Sequence, residues 1–421
     1  MSQRIILHID FDSFFASVEQ QCNPFLRNKP IGVTATNGRT CIIASSREAK
    51  RLGINTGMRT FEALRICPNI IFVPADFRKY WEVSKKFIAL CSDFSPEIEV
   101  FSLDEIFMDA TLTVHLYGGV ESLVRTIKLR IQEELGEYIT VSVGIAPNKM
   151  LAKLASGLKK PNGVFVISSD QIESVYSIAK LQDICGIGPR IEARLNQMGI
   201  YTLNQLRRTP LSALIAEFGP VEGQFLKDVG LGKDTSQVRA YTKTAEVKSV
   251  GRQYCLPQNE YNRRVILQHI YELSEEIGRK LRKLKKKARS VGLSLVGSYT
   301  LFGQRTKEQF IDSGLDLFKE SLSIIRRESG GELPLGYVRR IGVWAGYLKD
   351  SQYIPSPLLY EDKRKERLMQ VVDALNERFG DHTIRNGFLL GVPHLTTVPN
   401  GWMSDRFERK KLAEEYQTRH Q

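Results

Sequence analysis

Cysteine is sparse and scattered in this sequence. Its six cysteines, Cys22, Cys41, Cys67, Cys91, Cys185 and Cys255, form no CxxC pair and no Cys/His cluster at metal-ligand spacing. That excludes a zinc module or a disulfide framework and leaves reduced, structural residues. Long apolar runs are missing too, since none approaches the roughly 20 residues a membrane span needs. The N-terminal RIILHIDFD reaches acids after only a few apolar residues, so no signal peptide is expected, and the chain is expected to begin at Met1 and to be cytoplasmic. Acidic residues are in deficit, with 47 Asp and Glu against 60 Lys and Arg for a net charge of +13. The deficit is local: residues 241–349 hold 21 Lys and Arg against 11 Asp and Glu. A surface this basic faces nucleic acid or an anionic membrane, or else is a solvated face kept for solubility.

What is present is material for several cores. A chain of 421 residues, 42% of them hydrophobic, implies two to four domains at roughly 100 to 200 residues each. From Arg4 to about Ser169, apolar strands (RIILHID, KPIGVTA, CIIAS, EVFSL, IFMDA, TVSVGIA, GVFVI) alternate with helical stretches, the pattern of a mixed α/β domain. Short helices punctuated by Gly and Pro follow to about Leu231. The polar, basic GLGKDTSQVRAYTKTAEVKS reads as a linker. Beyond it, a basic amphipathic helix (VILQHIYELSEEIGRKLRKLKKKA) and the strand-like VGLSLVGSY and RRIGVWAGY predict an α+β unit. One more helical stretch, RKERLMQVVDALNERFG, lies among polar segments near the C-terminus.

The chemistry concentrates in two stretches. In EVFSLDEIFMDA, Asp104 and Glu105 sit side by side within otherwise buried β structure, and burying two ionised carboxylates without partners is too costly to leave unexplained. Neighbours on a straight strand point to opposite faces, so both reach one place only at a hairpin or bulge, with EIEVFS and IFMDA as its arms. In HIDFDSFFASVEQQ, a strand ends at Asp10, and Asp12 and Ser13 are placed to cap a helix carrying Phe14, Phe15 and Val18. Asp10 from a neighbouring strand would complete a three-carboxylate cluster suited to Mg²⁺, and two such ions about 3.5 to 4 Å apart support nucleotidyl transfer. Two readings stay open on these residues alone: that cluster, or a helix-capping Asp10 beside an exposed hairpin tip.

Further along, Gly186, Gly188 and Pro189 in ICGIGPRIEARLNQMGI suit either a helix-hairpin-helix, whose amides meet a phosphate, or a plain αα-hairpin. Arg279, Lys280, Arg282, Lys283, Lys285, Lys286, Lys287 and Arg289 fall within eleven residues and are expected on one helix, tracking a nucleic-acid backbone or keeping the helix soluble.

DFDSFFASVE, FSLDEIFMD, VSVGIAPNKMLAKLAS and KKPNGV resemble the signatures of Y-family translesion DNA polymerases, particularly the DinB, or polymerase IV, branch. They occur in the family's order over residues 5–165, with weaker similarity to about residue 345. The resemblance implies an α+β multidomain, right-hand polymerase. Palm and fingers would span 1–170 (fingers roughly 24–78), a helix-hairpin-helix thumb 171–235, a basic linker 236–249, a DNA-binding little finger 250–348 and a C-terminal extension 349–421. It implies that Asp10, Asp104 and Glu105 are the catalytic, metal-binding carboxylates for two Mg²⁺, with Phe11 lending its carbonyl. Phe15 falls at the steric gate beneath the incoming sugar, beside Phe14, and Lys160 at the triphosphate lysine. Arg47 and Lys50 stand where many relatives carry Tyr and Arg; both still suit phosphate. Gly186, Gly188, Arg279, Lys280, Lys283, Lys286 and Lys287 are the expected DNA contacts. SPLLYED is similar in position to a sliding-clamp peptide, with Leu358, Leu359 and Tyr360 as its anchors, although the usual leading Gln is missing. Docking of those side chains on the protein's own helix is the alternative. The implied activity is primer extension with dNTPs by a monomer. A polymerase V-like subunit needing partners, and an inactive DNA-binding protein on the same fold, are the alternatives.

Overall fold

The computed structural model describes residues 4–35, 41–242, 246–330, 336–355, 357–380 and 383–390, and the chain divides into two compact units, the second beginning at residue 245. In the first unit β1 (Ile6–Phe11) is the centre of a five-stranded sheet. It is flanked by β6 (Glu105–Asp109) and then β5 (Ile98–Val100) on one side, and by β7 (Val141–Ala146) and then β8 (Val164–Val166) on the other. Period-two alternation divides β1 between two cores. Leu7, Ile9 and Phe11 join α4 (Phe77–Ser92) and α5 (Val120–Leu135), while Ile6 joins α6 (Lys149–Leu158), so that the even positions His8 and Asp10 share the α6 side. Gly144 on β7 lets α6 come close: a Cβ there would lie 2.0 Å from the Ala152 carbonyl oxygen and 2.3 Å from the Ser156 amide.

The helix α1 (Phe14–Cys22) follows β1 directly. A small sheet, β2 (Ile31–Thr34) between β3 (Ile42–Ser45) and β4 (Ile71–Pro74), carries α2 (Arg47–Arg51) and α3 (Thr60–Ile66) around Ile42, Ala49, Ile54, Ala63 and Ile70. The strand reading of the sequence did not include β4. Five short helices complete the unit: α7 (Ile172–Ile178), α8 (Pro189–Gln197), α9 (Leu203–Arg208), α10 (Leu211–Phe218) and α11 (Pro220–Leu231). The expected helix-hairpin-helix is reduced at its first arm to a 3-10 turn, Leu181–Asp183.

The stretch read as a free linker is anchored at its start. Val238, Ala240 and Tyr241 are buried, the Tyr241 amide donates to the Ile98 carbonyl at 2.7 Å, and the Arg239 amide donates to Glu99 Oε2 at 3.0 Å. β5 is an edge strand, and the Tyr241 amide occupies one carbonyl of its open side.

The second unit is an antiparallel sheet in the order β11 (Thr300–Ile311), β10 (Lys286–Gly297), β12 (Val338–Asp350), β9 (Ser249–Glu260). It packs on α12 (Arg263–Lys283) and α13 (Gly314–Ser329) around Leu273, Ile277, Leu293, Leu295, Ile324 and Ile341. Here the sequence reading needs correction, because the basic run does not lie on one helix. α12 stops at Lys283, Lys285 adopts a left-handed φ of 52°, and Lys286, Lys287 and Arg289 belong to β10. Left-handed residues of this kind end helices, and the following Ala288, Val291, Leu293 and Leu295 are patterned for a sheet. A further helix, α14 (Tyr360–Phe379), is tied to this unit by Arg282, whose Nε and Nη2 donate to the two Asp373 oxygens at 2.6 and 2.8 Å. Part of the 349–421 extension, residues 391–421, lies outside the described residues. No helix among the described residues is long and apolar enough to cross a membrane.

Candidate active site

The antiparallel register of β1 and β6 sets Asp10 directly opposite Glu105. Asp104 sits at the turn just before β6, its carbonyl accepting from the Phe11 amide at 2.9 Å. The turn closes as the Phe101 and Ser102 amides both donate to the Glu105 carbonyl, at 3.1 and 3.2 Å. The three carboxylates therefore stand at adjoining strand ends.

Their electrostatics are set by burial, by their mutual repulsion and by the two lysines that reach them, Lys160 at Asp10 and Lys153 at Glu105. Burial pushes the Asp10 carboxyl up to about 6, with Asp104 and Glu105 adding to the rise and the Lys160 ammonium opposing it. Burial also raises Asp104, against a hydrogen bond from Ser102. Glu105 behaves differently: burial would raise it, but hydrogen bonds from His8 and Lys153 hold it down at about 2. Crowded carboxylates with raised pKa values are stabilised by a divalent cation with oxygen preference, so this donor set fits Mg²⁺.

Asp12 does not cap α1. The N-cap is Ser13, in a left-handed conformation with φ 53° and no side-chain cap bond, and Asp12 is the buried hub of a separate network. Its Oδ2 accepts from Thr140 Oγ1 at 2.6 Å and from the Asn162 amide at 2.7 Å, and its Oδ1 accepts from Ser142 Oγ at 2.7 Å. Thr140 Oγ1 in turn accepts from Arg47 Nη2. Asp12 thus links Arg47 to the KKPNG turn that places Lys160, whose ammonium contacts Asp10. Lys50 belongs to the same field. Its ammonium is held below the usual lysine value by partial burial and then by Lys160, with Asp12 and Asp10 opposing.

Phe14 and Phe15 are both buried. Phe14 stacks on Phe11 with centroids 4.9 Å apart, and Phe15 stacks on Tyr80 at 4.3 Å with its edge to Phe77. The expected DNA contacts divide. Gly186, at φ 110° and against the Phe225 ring, has no room for a Cβ, whereas Gly188 caps α8 with an extended φ of −88° and open space around it. Arg279, Lys280 and Lys283 lie on α12. Lys286 and Lys287 are engaged within the protein: Lys286 Nζ lies 2.7 Å from Asp350 and 3.4 Å from Glu246, and Lys287 Nζ 2.5 Å from Glu366.

The sequence reading missed His8, Lys153 and Ser156 and underrated Asp12. The period of β1 already places His8 on the face of Asp10. Lys153 and Ser156 are one helical turn apart in NKMLAKLAS, but their relation to Glu105 depends on the docking of α6, which no local pattern reveals.

Comparison with known proteins adds the lineage. Residues 9–157 match the model of the impB/mucB/samB family, 182–234 that of the DNA polymerase-iota thumb domain, and 247–355 that of the impB/mucB/samB family C-terminal domain. DNA polymerase IV of Desulfatibacillum aliphaticivorans is 31% identical over 398 residues, covering 93% of this chain and 98% of its own. DNA polymerase IV of Moorella thermoacetica is 33% identical over 390 residues, covering 91% and 96%. A solved Y-family DNA polymerase chimera aligns with TM-score 0.70 at 30% identity, over 82% of this chain and 98% of that one. The chain belongs to the Y-family DNA polymerases, on their DNA polymerase IV branch. Its activity is DNA-directed DNA synthesis of the translesion kind, a chemistry that uses a divalent metal, DNA and dNTPs.

Proposed function

We propose that Asp10, Asp104 and Glu105, with the Phe11 carbonyl, would hold two Mg²⁺, and that the reaction is attack of a primer 3′-hydroxyl on the α-phosphorus of a dNTP with pyrophosphate as the leaving group. The observation that carries this is the β1–β6 register, which sets Asp10 opposite Glu105 beside the turn bearing Asp104. When bound, such ions stabilise the attacking and leaving oxygens of an in-line displacement. The remaining work falls to side chains. Lys160, Arg47 and Lys50 bind the triphosphate, Arg47 as a fork and the lysines as point charges; the Arg47 Nε, buried without a partner, is a donor suited to a phosphate oxygen. Asp12 positions two of these groups at once, through Thr140 and through Asn162. Phe15 admits deoxyribose and rejects a 2′-hydroxyl by collision.

Residues 1–170 act in this reading as palm and fingers, 171–235 as thumb and 250–348 as little finger. The Gly186–Gly188 turn offers amides to backbone phosphates, which carry no base information and suit a protein that holds any sequence. Arg279, Lys280 and Lys283, on α12, supply charge to the duplex, and Lys286 and Lys287 pair with Asp350 and Glu366 within the fold. Leu358 and Leu359 just before α14 and Tyr360 at its first position, exposed by 93, 68 and 75%, are offered to a sliding clamp. The assignment is tested by Mg²⁺-dependent primer extension with Asp104→Ala and Glu105→Ala proteins.

A further inference from the structure

His8 lies two residues before Asp10, on the same face of β1, and is completely buried. Its Nε2 stands 2.9 Å from Glu105 Oε2, and its Nδ1 stands 2.7 Å from the Ser156 hydroxyl. A carboxylate oxygen can only accept, so Nε2 carries the hydrogen and the imidazole donates to Glu105. Ser156 reaches the ring because Gly144, which pairs with His8 in the β1–β7 register, leaves α6 room to sit against the sheet. On the other side His8 pairs with Phe107 of β6, whose ring centroid is 4.6 Å away and limits rotation of the imidazole. Lys153, one turn before Ser156, donates to the same Glu105 Oε2 and lies over the Phe101 ring at 4.8 Å.

Two donors thus converge on one oxygen of Glu105. An oxygen already accepting two hydrogen bonds has spent its lone pairs, so the other, Oε1, is left to face a cation. His8 is itself close to the centre, with one ligand atom each from His8, Asp10 and Glu105 within 4.8 Å of one another. Its Nε2 is committed to Glu105 and its Nδ1 faces Ser156, so neither nitrogen is turned to a metal.

We propose that His8, backed by Ser156, is a positioning residue that locks Glu105 with Oε1 presented to the metal shared with Asp10 and Asp104. The proposal rests on the carboxylate-centre reading above. Outer groups of this kind orient a ligand and raise the affinity of the site, and their loss costs about ten- to a hundredfold in metal binding.

The test uses the full-length protein with a dideoxy-terminated primer–template and the matching dNTP, titrated with Mn²⁺ while free Mn²⁺ is read by electron paramagnetic resonance. His8→Leu is expected to weaken Mn²⁺ binding about ten- to a hundredfold. His8→Gln, which keeps an N–H donor, is expected to recover most of that loss, and Ser156→Ala to weaken binding a few-fold. Wild-type affinity in His8→Leu with a lowered melting temperature would mean that His8 only packs the core, and would overturn the proposal. A loss in His8→Leu that His8→Gln does not recover would overturn it equally, by making His8 a ligand. Should His8→Leu fail to fold, Ser156→Ala decides, and unchanged Mn²⁺ affinity there refutes the positioning role. Wild-type affinity in Glu105→Gln would instead show that the carboxylate centre itself is misassigned, and the proposal would fall with it.

Discussion

Asp10 carries the sharpest electrostatic consequence at the scale of single residues. Its folded pKa of about 6 lies above its ordinary value of 3.8, so the folded protein binds a proton there more readily than the unfolded chain. The associated stability is present at low pH and is lost as pH rises through about 6. In chelator, the wild type should therefore gain stability relative to Asp10→Asn as pH falls from 7 to 5, a window clear of Glu105, which titrates near 2. Thermal melts of both proteins across that range check it, and parallel curves would return Asp10 to an ordinary carboxylate. Phe15 gives a second prediction, about selectivity. Phe15→Ala should raise rNTP use relative to dNTP about tenfold or more, the scale on which a tight pocket rejects a small added group. Single-nucleotide insertion assays read the ratio, and an unchanged ratio would leave Phe15 as a core partner of Tyr80. That Asp104 and Glu105 called for an explanation was legible because charge inside a β pattern violates burial rules, while their grouping with Asp10 was one of two open readings until the family resemblance favoured it. His8 was not, because a lone histidine in an apolar strand carries no such conflict.

The junction of α12 and β10 shows what one basic segment does at the scale of elements. Arg282 faces Asp373, and Lys287 faces Glu366, so two residues of the run fasten α14 to the second unit. Asp373→Ala should loosen α14 by about 2 kcal/mol, the worth of hydrogen bonds to a charged group. Hydrogen exchange over residues 360–379 should then accelerate while β10 and β12 stay protected, and unchanged exchange would show that apolar packing holds the helix. Lys280 and Lys283 on α12 are proposed to meet DNA. Lys280→Gln together with Lys283→Gln should flatten the slope of log K against log[salt] by about 0.9 for each phosphate no longer neutralised; equal slopes would assign these lysines to solubility. This is also where the sequence misled. Lysine and arginine suit a helix as well as a solvated strand edge, so composition could not locate the break at Lys285, which a left-handed backbone defines. β5 and β6 were legible because their alternation is interrupted only at the turn. β9, β11 and α13 were not recognised, since the long strands of the second unit alternate buried with polar residues less cleanly.

Across the whole molecule, the proposed reading assigns binding and chemistry to different parts of the chain: charge and backbone amides for DNA, and three carboxylates at two neighbouring strands and their turn for the reaction. The family and its α+β architecture could be read from four ordered motifs, whereas the Asp12 network could not. It joins residues 12, 47, 140 and 162, which only the folded sheet brings together. The central claim is that Asp104 and Glu105 hold the metals of nucleotidyl transfer. It is tested most directly by measuring single-turnover primer extension in Mg²⁺ alongside primer–template binding for Asp104→Ala. The account predicts extension reduced by about a hundredfold or more, with DNA affinity within a few-fold of wild type. Extension at near wild-type rate would contradict it.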